Sequence, residues 1–128
     1  MKTLRETILS QSDLTVEAVA TPEWKDTDGK VFVRTLNAKV RMDTLELFSG
    51  DDRSIAENVM TMVVVAACDG DGQPLFTDED AAALYEKSGV VLYRIAAAAR
   101  VFNCFTEAAA EEAVKNSEQT TPDDSPSS

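Results

Sequence analysis

An α+β fold, mainly α, is what this chain predicts: a small N-terminal β-hairpin packed on four or five helices, with a disordered C-terminal tail. Three observations carry that prediction. Two short stretches rich in β-branched residues, LTVEAVA and VFVRTL, flank an Asp28-Gly29 turn signal. Beyond Asn37 the apolar residues recur at helical spacing, and the runs open on Ser, Thr or Asn. The segment NSEQTTPDDSPSS, residues 116–128, holds no apolar anchor. One domain over residues 1–115 and an acidic, Ser/Pro-containing tail over 116–128 follow from this.

Each element has its own local reason. Residues 2–10 read as a short amphipathic helix with Leu4, Ile8 and Leu9 on one side. Leu14, Val16 and Ala18 alternate, as in a half-buried strand. PEWKDTDGK makes the connection, and VFVRTL is the returning strand. A two-stranded hairpin is marginal alone, so it must pack on helices. Asn37 is the expected N-cap of AKVRMDTLELF, with Val40, Leu45 and Phe48 on the inner face and Gly50 as the stop. Ser54 opens IAENVMTMVVVAAC, in which Ile55, Val59, Met62, Val63, Ala66 and Ala67 follow a helical stripe. The three valines favour strand locally, but the window is too long for one.

Thr77 is the expected cap of a third helix, with Asp78, Glu79 and Asp80 in the first turn, where the helix dipole favours carboxylates. Ser88 and Gly89 break the pattern before VVLYRIAAAARVFNCF. There Val91, Ile95, Ala98, Phe102 and Phe105 form the core stripe, and Ala96 to Ala99 let a neighbouring helix approach closely. Thr106 and Glu107 open a short final helix, to about Val114.

Composition excludes several function classes. Formal net charge is −11, unevenly spread: residues 1–50 hold 7 basic and 8 acidic side chains, residues 51–128 hold 5 and 15. Such a field repels nucleic acid and anionic membrane, so neither is an expected partner. There is no histidine, which removes the commonest general base and metal ligand near neutral pH. Cys68 and Cys104 are isolated in apolar stretches and read as buried, reduced thiols of a cytosolic protein. Charges interrupt every apolar run of the first fourteen residues, so they read as neither signal peptide nor membrane anchor.

The acid-rich stretch ACDGDGQPLFTDED admits three readings. As an EF-hand loop it fails in either register: aligning Gly72 with the required glycine leaves Ala67 at the first ligand position and the short Asp78 at the last. As a general acid/base pair it fails because a solvated Asp/Gly turn raises no carboxyl pKa. No G-x-S-x-G elbow or cysteine–base pair supplies a nucleophile either. A tight DGDG turn, an apolar clip at Leu75-Phe76 and a helix cap at TDED account for the stretch. No catalytic, cofactor or metal-ligating residue is assigned.

The order of these elements is similar to that of the tail assembly chaperones of long-tailed bacteriophages. The resemblance lies in the Asp-rich turn from Asp69 to Gly72, Leu75-Phe76, Thr77 to Asp80, the Ala-rich helix from Leu92 to Asn103, and the Thr106-Glu107 cap. In the N-terminal half it lies in MKTLRETIL, Pro22 to Trp24, and Val31 to Arg41. It covers residues 1 to about 116. Cys104, where a small residue is usual in such chains, is a departure.

The resemblance implies a non-enzymatic protein of the bacterial host cytoplasm. Such a protein binds the long, helical, hydrophobic tape-measure protein, keeps it soluble, helps recruit tail-tube subunits, and is missing from the mature virion. It also implies the possibility of a homo-oligomer. A structural tail or neck component of the virion is the alternative. For a helical client the expected docking mode is helix-in-groove. The candidate partner-binding residues are Trp24, Met60, Met62, Tyr93, Phe102 and Phe105. Met in a helical stripe also fills core gaps, and Trp24 in the hairpin connection can equally fold back onto the core.

Overall fold

The computed structural model describes residues 1–105, so the expected final helix from Thr106 and the tail from 116 lie outside the described residues. Within them the chain is mainly helical with one small sheet, the α+β arrangement predicted. The element order is α1 (Leu4–Leu9), β1 (Val16–Ala20), β2 (Lys30–Arg34), α2 (Ala38–Phe48), α3 (Ile55–Ala66), β3 (Ala67–Cys68), α4 (Ala81–Leu84) and α5 (Gly89–Phe102).

β1 and β2 form the antiparallel hairpin, with Val19 opposite Val31 and Glu17 opposite Val33. Asp28 (φ 59°) and Gly29 (φ 74°) both turn through the left-handed region just before β2, the conformation that a short polar residue and a glycine tolerate. The buried face of the hairpin is Val19, Val31 and Val33, not Leu14, Val16 and Ala18 as the alternation suggested. Leu14 and Ala18 are exposed. The reason is register: β2 presents its β-branched Val31 and Val33 inward, and pairing puts Val19 on that face.

α3 ends at Ala66 rather than running to Cys68. Ala67 and Cys68 switch to extended backbone and pair with Val33 and Phe32, which makes β2 the centre of a three-stranded sheet. The valines at 63–65 stay helical, as the length of the amphipathic window required. Ser54 and Glu57 close a reciprocal capping box at the start: the Ser54 hydroxyl accepts from the Glu57 N–H (3.1 Å), and the Ser54 N–H donates to the Glu57 carboxylate (2.8 Å).

The DGDG segment is a turn. One Asp69 carboxylate oxygen accepts from the backbone N–H groups of Asp71 (2.9 Å) and Gln73 (3.0 Å). Gly70 lies against the Phe32 ring and Gly72 (φ 84°) beside Val16, so the turn leans on the outer face of the sheet. The third helix is shorter than its sequence suggested. Asp78–Asp80 form a single 3-10 turn, with the Thr77 N–H donating to Asp80 (2.8 Å), and α4 is one turn long.

α3 and α5 supply most of the core: Met60, Met62, Val63 and Ala66 from one, Val91, Leu92, Ile95, Ala96 and Ala99 from the other, closed by the sheet and by Leu84. The Val, Leu, Ile and Met side chains among them each contribute about 1.5–3 kcal/mol when fully buried. α2 joins through Val40, Thr44 and Phe48, one helical turn apart each time. Leu45, expected inside, is exposed, and the buried Thr44 hydroxyl is satisfied by the Val40 carbonyl at 2.7 Å. α1 buries no residue at all. Its Thr3–Glu6 capping box shapes it, while Leu4, Ile8 and Leu9 face outward.

The end of α5 is fixed by a Schellman motif: Phe105 N–H bonds to the Arg100 carbonyl (2.7 Å) and Cys104 N–H to the Val101 carbonyl (3.1 Å). Cys104 occupies the left-handed position (φ 59°) that glycine usually takes. Arg41 donates to the carbonyls of Asn103 and Cys104, placing a cation at the helix C-terminus. Asn103 is buried and ties three groups together. It accepts from Leu36 N–H (2.8 Å) and donates to the carbonyls of Arg34 and Ala99 (3.0 Å each).

Candidate functional site

Two depressions matter for the site, one beside the hairpin connection and one against α5. The first is a hollow of about 530 Å³ beside the hairpin connection, walled by Trp24, Phe76 and Leu84 and rimmed by Glu23, Asp26, Lys25 and Lys87. Arg94 pins that connection to α5: its guanidinium meets both Glu23 carboxylate oxygens at 2.8 Å and the Ala20 carbonyl at 3.1 Å. The paired guanidinium holds the Glu23 carboxyl down at about 2, against an ordinary 4.5. Trp24 is half-buried and packs on the core. The hollow is therefore a braced part of the fold, with Trp24 and Phe76 as aromatic walls.

The second depression is a groove of about 510 Å³ between α3 and α5. Ile55, Asn58 and Val59 line it from α3 at i, i+3 and i+4. Tyr93, Ala96, Ala97, Arg100 and Val101 line it from α5 at i, i+3, i+4, i+7 and i+8. Ala96 and Ala97 are small enough to leave a trough between the helices. Its rims stand open: Ile55 is 81% exposed, Tyr93 62% and Val101 58%. Asn58 is held by the Arg53 Nε at 3.0 Å, so the polar wall is ordered. Apolar walls at helical spacing around a shallow trough suit a helix laid between two helices.

The six residues singled out from sequence do not form one site. Tyr93 lies in the α3/α5 groove and Trp24 in the hairpin hollow. Met60 and Met62 are buried in the core, Met62 completely, and present no docking surface. Phe102 and Phe105 are half-buried at the far end of α5. There Phe105 meets Phe48 edge to face with centroids 6.1 Å apart, and Arg41 lies 4.5 Å from its ring centre. Ile55, Val59, Ala97, Arg100 and Val101 were missed as lining residues. A signal existed, because Tyr93 and Val101 fall off the core stripe of α5 and so were left over once the core was filled.

Burial pushes the Cys68 thiol up, keeping it neutral and unreactive. Glu57 is lowered by the Ser54 backbone N–H that it caps. Among the described residues no cluster of three or more Cys, Asp or Glu is placed to hold a metal ion, and no helix is long and apolar enough to cross a membrane.

No family model matches the chain, and no curated protein matches it. Among solved structures, the bacteriophage HK97 tail assembly chaperone superposes with a TM-score of 0.50 at 23% identity, over 75% of this chain and 88% of that one. The chain has the fold of a phage tail assembly chaperone. At that identity the likeness concerns architecture, and the residues of the groove are this chain's own.

Proposed function

We propose that this protein is a non-enzymatic tail assembly chaperone of a bacteriophage. In this reading it binds the tape-measure protein along the α3/α5 groove and keeps that client soluble in the host cytoplasm. It helps bring tail-tube subunits to the client and is left out of the finished virion. The observation that carries the reading is the fold shared with the HK97 chaperone across three quarters of the chain. The open apolar groove supports it, since a helical hydrophobic client needs such a surface. The charge of −11 supports it as well, because a strongly acidic partner keeps copies of a sticky complex apart.

Co-expression with the tape-measure protein tests this, followed by a solubility assay and co-purification. The expected result is a client that moves to the soluble fraction and co-elutes with the chain. A client that stays insoluble beside a well-folded chain overturns the reading. Mass spectrometry of purified particles tests exclusion from the virion: finding the chain there in stoichiometric amount would make it a structural component instead.

A further inference from the structure

Five arginines lie between β2 and the end of α5, and four are engaged. Arg34 donates to the Val65 carbonyl (3.0 Å), Arg41 to the carbonyls closing α5, Arg53 to Asn58, and Arg94 to Glu23. Arg100 differs. Among the described residues it donates no hydrogen bond and has no carboxylate within 4.0 Å; its one described neighbour of note is the Phe48 ring, 5.9 Å away. Among the described residues that line the α3/α5 groove, it is also the only charged side chain. A half-buried cation that the described residues give no anion, at the edge of an apolar trough in a chain of net charge −11, is the observation to explain.

We infer that the groove selects an amphipathic helix carrying a carboxylate opposite Arg100, beside apolar side chains spaced three and four residues apart. This rests on the reading of the groove as the client-docking surface and specifies what docks. The physical reason is desolvation. A helix lying over Ile55, Tyr93 and Val101 removes water from Arg100, and an unpaired buried charge is costly. A carboxylate on the incoming helix turns that cost into a charge-assisted pair, for which the planar guanidinium fork is suited. A wholly apolar helix strands the cation, so the groove discriminates against it.

Calorimetry on the full chain with two synthetic amphipathic peptides tests this. Both carry Leu and Ala at i, i+3, i+4 and i+7, one has Glu on the flank that meets Arg100, and its twin has Gln. The expected result is about tenfold tighter binding of the Glu peptide, the size of one charge-assisted contact. Arg100→Gln should erase the preference, Arg100→Lys should restore part of it, and added salt should shrink it. Matching thermal melts show that the variants are folded. Equal binding of both peptides, with Tyr93→Ala weakening both, overturns the carboxylate preference and leaves the groove reading standing. If neither peptide binds, the preference also falls. The groove reading then falls with it should Tyr93→Ala and Val101→Asp still solubilise the tape-measure protein. Changing Glu107, Glu111 and Glu112 to Gln should leave the preference unaltered. A gain in affinity would assign Arg100 to the chain's own acids and overturn its assignment to a partner.

Discussion

Arg94 and Arg100 stand six residues apart on one helix and have opposite roles. Arg94 faces the hairpin, where Glu23 and the Ala20 carbonyl accept three hydrogen bonds from its guanidinium and close one flank of α5. Arg100 faces the α3/α5 groove, where the described residues give it no anion. The apolar neighbours divide the same way. Trp24 on the braced flank packs against the core, whereas Tyr93, Ile55 and Val101 on the other flank remain largely in water. A closed flank stabilises the fold, and an open one is available to a partner. The presence of an aromatic ring does not tell them apart, because both flanks have one: Trp24 and Phe76 line the hairpin hollow and Tyr93 the groove.

The largest expected effect would break the comparison by removing what both flanks rest on. Met62 is completely buried, so Met62→Ala should cost about 2–5 kcal/mol in urea denaturation. Client binding should then track the folded fraction and nothing more. Asn103→Ala comes next, at about 2–3 kcal/mol, because it leaves the Leu36 N–H buried without its acceptor and unlinks β2 from α5. A melting temperature unchanged by it would refute the role given to this residue.

Trp24→Ala and Tyr93→Ala together sharpen the contrast. Trp24→Ala should lower stability by about 1–3 kcal/mol, as truncation of a half-buried aromatic does, with client capture preserved in the folded fraction. Tyr93→Ala should leave stability within about 0.5 kcal/mol and weaken capture. The reverse pattern would make the hairpin hollow the docking surface.

The smaller effect is on pH dependence. Glu23 has its folded-state pKa lowered from 4.5 to about 2, so its contribution is present above pH 4.5 and lost as pH falls towards 2. Glu57, lowered by its cap, acts in the same direction. Glu23→Gln should flatten the acid limb of a stability–pH profile, and an unchanged limb would mean that the Arg94 pair is not formed in solution. Smallest of all is Cys104→Gly, which relieves a left-handed backbone at a side-chain-bearing residue. A gain of about 0.5–1 kcal/mol in chemical denaturation is expected.

Much of the architecture was legible because it rests on near-neighbour chemistry. Asn37 and Ser54 cap their helices as residue type and spacing require, Asp28-Gly29 turns the hairpin, and Asp69 closes its own turn on two backbone N–H groups; Ser88, read as a break, is the N-cap of α5. The candidate site was less legible. Met60 and Met62 satisfy the pattern of a docking stripe and of a core stripe equally, and only the arrival of α5 and the sheet decides between them. Arg100 carried no sequence signal, since an arginine on an Ala-rich helix is ordinary until its surroundings are known.

The sequence by itself determined which segments are helical or extended, where most of them start, and how acidic the whole chain is, because those depend on side chains within a few residues and on counting charges. Tertiary structure alone decided that Val19 rather than Val16 faces inward, that Ala67 and Cys68 leave the helix to join β2, and that Asn103 links residues 67 and 69 positions away. It also decided that one side of α5 is sealed by Glu23 while the other stays open at Arg100. These outcomes depend on strand register and on which helix face meets which neighbour, and both are settled by burial summed over contacts far apart along the chain.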